Sequence, residues 1–217
     1  MGERLLQIIP ALPAVLLALT IHEYAHGLVA DRLGDPTPRA AGRLTLNPLR
    51  HLDPLGTLML LVAHIGWARP VPVDARNFDH PRTGMMWVSL AGPLANMAVA
   101  LGFGLMLRMV PPETLIASWP LGSGLLSFLL WGLFINLVLA AFNLLPVPPL
   151  DGSKVLQGLL PSRIADLYGS AGRAGPLLLL LVVLAGRSLL WRVLTPFIRY
   201  FGDLFAGQGI VQLLNLS

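Results

Sequence analysis

The chain has no cysteine and carries little charge for its length. The absence of cysteine among 217 residues excludes disulfide bonds and thiolate metal ligands, so a metal ion would have to be held by His, Asp or Glu. Only 12% of the residues are Asp, Glu, Lys or Arg, whereas a soluble domain carries about 25%. Because long stretches have no charge at all, the distribution indicates a membrane protein.

Apolar residues take the place of the missing charge. They make up 55% of the chain, and the mean hydropathy is +0.70. The net charge of +4 does not indicate nucleic-acid binding, because the basic residues do not cluster with aromatic residues on a polar surface. Most of them lie in loops between apolar segments, which is typical of residues that set membrane orientation.

The apolar segments predict an all-α membrane protein, a polytopic transmembrane helix bundle with a few short β-strands near the cytoplasmic side. A span needs about 20 apolar residues, and we expect a single domain over residues 1–217. Residues 56–67 are too short to span, so we expect them to re-enter the membrane or form a buried hairpin. The predicted long segments are a first helix at about 5–31, spans at about 85–110 and 121–145, and a C-terminal hydrophobic region at about 176–205.

Shorter patterns predict local structure between these segments. Alternating residues at 43–46 and 70–73 predict two short strands. We expect these strands to offer an edge beside the metal site, to which an extended substrate could pair. Residues 153–160 favour a short helix, and residues 162–175 read as a polar connector.

Basic residues predict the orientation of the spans. The loop between the second and third spans, at 110–122, holds no Lys or Arg. Since Lys and Arg are enriched in cytoplasmic loops, the sites at His22 and Asp151 are both expected to face the cytoplasm. The basic residues on that side are Arg32, Arg39, Arg43, Arg50, Arg69, Arg76 and Arg82 between the first two spans, and Lys154, Arg163 and Arg173 after the third.

The sequence His22-Glu23-Tyr24-Ala25-His26 lies inside the first apolar segment. Histidines four residues apart share one face of a helix, where both can reach one zinc ion. Glu23 lies beside them and is the predicted catalytic base, which activates the zinc-bound water. Ionisable residues are costly within a membrane, so three of them in five positions indicate function.

A catalytic zinc site takes three protein ligands and leaves one position open. Asp151 is the strongest candidate for the third, because prolines break the preceding apolar segment and Gly152 permits a close approach. An N-cap for the following helix is an equally weighted alternative for Asp151. The amide of Asn143 needs a partner within the span, either a substrate or another helix. The other candidates for the third ligand are His51, His64, His80, Asp53, Asp74 and Asp79.

These motifs resemble the site-2 protease family of intramembrane zinc metallopeptidases. The family's His-Glu-x-x-His helix matches residues 22–26, and its Asn-x-x-Pro…Leu-Asp-Gly segment matches residues 143–152. The resemblance covers roughly residues 14–160, in a compact form without a PDZ-like insert or a C-terminal sensing domain. It implies one Zn²⁺ per chain bound by His22, His26 and Asp151, with Glu23 as the base.

The resulting expectation is an endopeptidase that cleaves membrane-spanning proteins and lies in the cell membrane with its active site toward the cytoplasm. Its expected partners are membrane-protein substrates and the lipid bilayer, with no nucleic acid. The alternatives are a catalytically silent relative that binds membrane helices, and a proton or metal transporter, although no repeated halves are present. A metalloprotease with a downstream Glu ligand is disfavoured, because Glu113 is the only Glu after the motif and is expected on the opposite face.

Overall fold

The computed structural model describes residues 11–56, 68–109, 122–172, 175 and 187–209. Two short 3-10 turns, Pro48–Arg50 and Ala75–Asn77, lie between the first and second long helices. The helices whose bounds the structure gives are α1 (Ala11–Arg32), α2 (Thr37–Ala40), α3 (Pro81–Met109), α4 (Gly122–Asn143), α5 (Asp151–Leu159), α6 (Ser162–Ala171) and α7 (Arg187–Ala206).

Three of these helices are long and apolar enough to cross a membrane. They are α1, α3 and α4, with mean hydropathies of 1.3, 1.7 and 2.3 over their most apolar stretches. They coincide with the three segments that the apolar runs predict. The proposed re-entrant segment at 56–67 lies outside the described residues from 57 onward, as does the C-terminal region from 176 to 186. The described part of that region forms α7, which is not among the candidate spans.

The prediction of short β-strands is not supported. Within the described ranges the ladder contacts reduce to one isolated antiparallel bridge, between Leu52 and Ala68. Pro70 and Pro72 lack the N–H groups that a ladder requires, which explains why residues 70–73 form no strand. Residues 43–46 likewise form no strand. The predicted edge for an extended substrate is therefore not formed.

More of the chain after the third span is helical than the sequence predicts. The predicted helix at 153–160 is present as α5. The predicted polar connector at 162–175 instead contains α6, Ser162–Ala171. Ile164 and Leu167 lie three residues apart on α6 and are exposed, so this short helix carries an apolar face that a reading of the segment as polar overlooks.

The chain divides into two compact units. One unit contains the part of α1 up to Ala18, the part of α3 that begins at Asn96, and all of α4 and α7. Its interior includes a polar contact, in which Asn96 Nδ2 donates to Ala18 O at 3.1 Å and to Asn136 Oδ1 at 2.8 Å. Both asparagines are fully buried. Such amide bonds satisfy polar groups where lipid cannot, and they stabilise contacts between apolar helices.

The other unit contains the remainder of α1 and α3 together with α2, α5 and α6. Its apolar core joins Ala30 of α1, Phe78 of the connecting loop and Val88 of α3, all of which are buried. The buried carboxylate of Asp35 holds the same loop through polar contacts. Its Oδ1 accepts from Asn77 Nδ2 at 2.7 Å, and its Oδ2 accepts from the Asp74 amide at 2.8 Å. The loop between α1 and α3 is therefore held both by apolar packing of Phe78 and by the hydrogen bonds of Asp35.

Candidate metal centre

The second unit brings together the two histidines of the His-Glu-x-x-His motif. They lie one turn apart on α1 and are 5% and 9% exposed. The Nε2 atoms of His22 and His26 are 3.0 Å apart, and the two rings meet edge to face with centroids 4.6 Å apart. The helical spacing of four residues therefore produces the convergence that the sequence predicts.

Asp151 contributes the third donor. Its Oδ2 lies 3.2 Å from the Nε2 of His22 and 3.2 Å from that of His26. Asp151 is the first residue of α5, whereas Leu150 occupies the N-cap position and no side chain caps the helix. The N-cap alternative for Asp151 is therefore wrong.

A hydrogen bond fixes the orientation of the His26 ring. Its Nδ1 lies 2.7 Å from the carbonyl oxygen of Val88 on α3. Because a carbonyl only accepts, Nδ1 must carry the proton and donate it. In the neutral imidazole the lone pair is then on Nε2, the atom that faces Asp151 and His22. Second-layer contacts of this type orient histidines that ligate metals.

Gly92 of α3 leaves room for the cluster. A β-carbon added at this position would lie 2.5 Å from His26 Nε2 and 2.7 Å from His22 Cε1. These distances are far below van der Waals contact, so any side chain would displace the imidazoles. The absence of a side chain at Gly92 thus creates the space in which the two rings converge.

The geometry fits a metal ion. The three donor atoms lie within 4.8 Å of one another. A tetrahedral zinc ion with bonds of about 2.0–2.1 Å has edges of about 3.3–3.4 Å between ligands. The observed separations of 3.0, 3.2 and 3.2 Å match one face of that tetrahedron to within a few tenths of an ångström. Two imidazoles and one carboxylate, with the fourth position left over, could therefore hold a catalytic metal.

Glu23 lies beside this cluster on α1. Its Oε2 accepts a hydrogen bond of 2.9 Å from the backbone amide of Val71. A carboxylate has two oxygens with several lone pairs, so this bond holds the group in place and leaves capacity for a proton. The sequence identifies Glu23 from the motif, but nothing in the motif indicates Val71 as its partner.

The other candidates for the third ligand among the described residues form different contacts or are exposed. His51 is buried and makes a contact of 2.8 Å between its Nε2 and the Thr45 carbonyl oxygen. Asp53 accepts from the Gly56 amide, and Asp74 pairs with Arg76. His80 and Asp79 are exposed, and His64 lies outside the described residues. Within the described ranges, the one cluster of metal-binding groups is His22, His26 and Asp151.

Asn143 is the last residue of α4. Its Nδ2 donates to the Leu139 carbonyl oxygen at 3.0 Å, within the same helix. This bond is neither the interhelical contact nor the substrate contact that the sequence suggests. The amide oxygen of Asn143 retains its capacity to accept, so a role in substrate binding stays a prediction.

Sequence reasoning misses three groups around Glu23. They are the Val71 amide, the buried Asp35 that holds Asp74, and the buried Arg43, which donates to the carbonyl oxygen of Arg69. Each acts through backbone atoms distant in sequence, for which residue type gives no direct signal. The one available signal is the pair of prolines around Val71, which leaves its amide as an isolated donor.

Long apolar helices combined with a His-Glu-x-x-His helix and a distant Asp donor are features of the membrane metalloprotease class. Comparison with known proteins gives the same result. The profile of peptidase family M50 matches residues 10–184. The chain therefore belongs to peptidase family M50, the site-2 protease family.

Individual relatives carry names of the same kind. YwhC of Bacillus subtilis, named as a candidate zinc metalloprotease, is 43% identical over 185 residues, covering 83% of each chain. Rip2 of Mycobacterium tuberculosis, with the same description, is 30% identical over 174 residues, covering 78% of this chain and 64% of the relative. MJ0611 of Methanocaldococcus jannaschii is 43% identical over 70 residues, 32% of each chain. No solved structure matches the chain at a significant level.

Proposed function

We propose that this protein is an intramembrane zinc endopeptidase that hydrolyses peptide bonds of membrane-spanning proteins. One observation carries the proposal: His22, His26 and Asp151 converge within 3.2 Å of one another beside Glu23, on and around an apolar helix. The names of the relatives support zinc as the cofactor and proteolysis as the activity.

His22, His26 and Asp151 would hold one Zn²⁺ per chain. The bond to Val88 fixes the His26 ring and leaves its Nε2 lone pair available to the ion that these residues would hold. When bound, zinc supplies a Lewis acid that polarises the scissile carbonyl and acidifies the attacking water. An ionised Asp151 carboxylate would add a negative charge to the donor set.

Glu23 is the proposed general base. Its carboxylate takes the proton from the attacking water and passes it to the leaving amine, which requires a fixed position beside the reacting atoms. The Val71 amide provides that fixed position by binding Oε2. Asn143 is proposed to bind the substrate through its amide, at the end of a membrane-spanning helix.

The proposed setting is the cell membrane, with the active site toward the cytoplasm. The three apolar helices support a bilayer environment. The positive-inside rule supports the orientation, since the basic residues flank the sites at His22 and Asp151. The proposed partners are membrane-protein substrates and lipid, and no nucleic acid.

The direct test compares wild-type protein with Glu23→Gln in detergent. The substrate is a tagged single-span reporter whose transmembrane segment carries a Gly-Pro pair, because proline disrupts the helix and exposes the backbone to attack. Removing the base should lower the cleavage rate by about 10²–10⁴-fold. Zinc measured by mass spectrometry should stay near one per chain in both proteins, since Glu23 is not a ligand.

Glu113→Gln is the matched control, because it makes the same chemical change outside the motif and should leave cleavage unchanged. Equal cleavage by wild type and Glu23→Gln would remove Glu23 as the base. Zinc-loaded wild-type protein that leaves the reporter intact would favour the catalytically silent alternative. Protein without zinc would overturn the proposed metal centre.

A further inference from the structure

A segment without regular secondary structure, residues 69–74, contacts the proposed base through its backbone. The amide of Val71 at its centre binds Glu23 Oε2. The start of the segment is tied to residue 51, since the Arg69 amide donates to the His51 carbonyl oxygen at 2.8 Å. Its end is tied to Asp35, which accepts from the Asp74 amide. The 69–74 segment is thus attached to the protein on both sides of the contact with Glu23.

The composition of the segment isolates the donor at its centre. Val71 lies between Pro70 and Pro72, neither of which has an amide hydrogen. Proline also fixes its own φ at about −65° and biases the preceding residue, here Arg69 and Val71, toward extended conformations. The amide of Val71 is therefore the single N–H from residue 70 to residue 72, and it is presented to Glu23 by a stiff backbone.

Packing against α1 brings the segment to the correct residue. Gly27 lies four positions after Glu23 and therefore on the same helix face. A β-carbon at Gly27 would lie 2.9 Å from the Leu44 side chain and 3.4 Å from that of Val71. The missing side chain at Gly27 lets Val71 and Leu44 pack on the helix one turn from the carboxylate of Glu23.

Arg43 lies directly before Leu44 and is 5% exposed. Its guanidinium donates to the carbonyl oxygen of Arg69, two residues before Val71. Its buried Nε has no hydrogen-bond partner among the described residues, and such a group costs about 1–3 kcal/mol. A buried arginine with this cost is a poor choice for stability alone, which indicates that its position serves the neighbouring site.

The charge of Arg43 also acts on Glu23. Burial lowers the pKa of Arg43, the carboxylate of Glu23 opposes this shift, and the charge of Arg69 adds to it. The guanidinium stays protonated throughout the range in which proteins are stable. Arg43 therefore contributes both a fixed hydrogen bond to the 69–74 segment and a permanent positive charge near the base.

We propose that Arg43 is a positioning residue for Glu23: it fixes the 69–74 segment so that the Val71 amide holds the base in its reactive place. The catalytic part of this proposal rests on the endopeptidase function proposed above. The structural part, that Arg43 keeps the Val71 amide bound to Glu23, does not depend on catalysis and can be measured separately.

Hydrogen exchange tests the structural part with Arg43→Gln and Arg43→Lys. Since prolines carry no amide hydrogen, peptides covering residues 70–73 report on Val71 and Val73 alone. Loss of the anchor should speed exchange in these peptides at least about tenfold, while exchange in α3 stays unchanged. Arg43→Lys keeps the charge without the planar fork and should show an intermediate increase. Unchanged exchange in Arg43→Gln would overturn the proposal.

Kinetics with the Gly-Pro reporter test the catalytic part. A base displaced by about 1 Å loses up to about 100-fold in rate. Arg43→Gln should therefore lower kcat about 10–100-fold, with KM within about twofold and zinc near one per chain, because neither substrate binding nor metal ligands change. Arg43→Lys should recover part of kcat.

Arg39→Gln is the control, because Arg39 lies on the same connection but is 71% exposed and pairs with Asp31. It should match wild type in exchange, kcat and zinc. An unchanged kcat in Arg43→Gln, or zinc loss in both Arg43 variants, would overturn a positioning role. Wild-type protein inactive on the reporter would instead refute the proposed function, leaving the exchange result to decide on Arg43.

Discussion

Gly92 is a residue whose importance comes from an absent side chain. It lies against both imidazoles of the candidate metal centre, where an added β-carbon would approach His26 Nε2 to 2.5 Å. We predict that Gly92→Ala lowers zinc affinity roughly 10–100-fold, the range seen when the orientation of a ligand is disturbed. Zinc titration with a competing chelator measures this affinity, and reporter cleavage should fall with zinc content.

Gly102→Ala provides the control in the same helix. A β-carbon at Gly102 meets nothing within 4 Å, so the change adds a methyl group and raises helix propensity without a clash. It should bind zinc as wild type does. Wild-type affinity in Gly92→Ala would show that the imidazoles do not occupy the positions that the structure gives them.

Asp35 connects two elements of the second unit, and its charge makes that connection depend on pH. It is fully buried and accepts from the Thr37 amide and hydroxyl as well as from Asn77 and Asp74. Burial raises the pKa of Asp35, but these hydrogen bonds outweigh it and hold the pKa below the ordinary 3.8. Folding therefore favours the ionised carboxyl.

A folded-state pKa below the unfolded value stabilises the protein above the unfolded pKa, and this contribution is lost as the pH falls through the folded pKa. We predict that Asp35→Asn lowers the free energy of unfolding at pH 7 by about 1–3 kcal/mol, because an amide cannot accept all these bonds. The difference from wild type should narrow below about pH 4.

Thermal unfolding in detergent from pH 7 to pH 3 measures this difference. Asp79→Asn is the control, since Asp79 is exposed in the same connection, and it should follow wild type at every pH. A constant gap between Asp35→Asn and wild type across the range would show that the charge of Asp35 plays no part in the linkage.

The whole molecule is expected to place both halves of the metal centre on one side of the membrane. The connection between the first two spans and the connector after the third carry the basic residues, whereas the loop at 110–122 carries none. Because the chain has no cysteine, single cysteines can be introduced without background. We predict that His80→Cys and Ser162→Cys are protected from an impermeant maleimide in spheroplasts and that Glu113→Cys is labelled.

Permeabilised cells give the reference, since all three positions should then react. His80 and Ser162 are both exposed, so burial within the protein does not account for protection. Labelling of positions 80 and 113 from the same side would contradict the predicted orientation and the cytoplasmic active site.

The sequence by itself determined the membrane class, the three apolar helices and the family motifs. Composition and run length report directly on partition into lipid, which depends on local sequence rather than on contacts. The spacing of His22 and His26 likewise determines their shared face, because helix geometry is local. The motif also indicates Asp151 as a ligand, but only the observed start of α5, with Leu150 at the N-cap, excludes the N-cap alternative.

Only the tertiary structure decided which partners these residues meet. The Val71 amide, the Arg43 guanidinium and the Val88 carbonyl each contact a group that is 26 to 62 residues away in the sequence. Each of these three contacts uses a backbone atom, so the residue type gives little signal for it. The strand predicted at 70–73 is absent for a local reason, because proline at residues 70 and 72 removes N–H groups that pairing needs. The physical division is between local geometry, which the chain encodes residue by residue, and long-range contacts, which exist only once it folds.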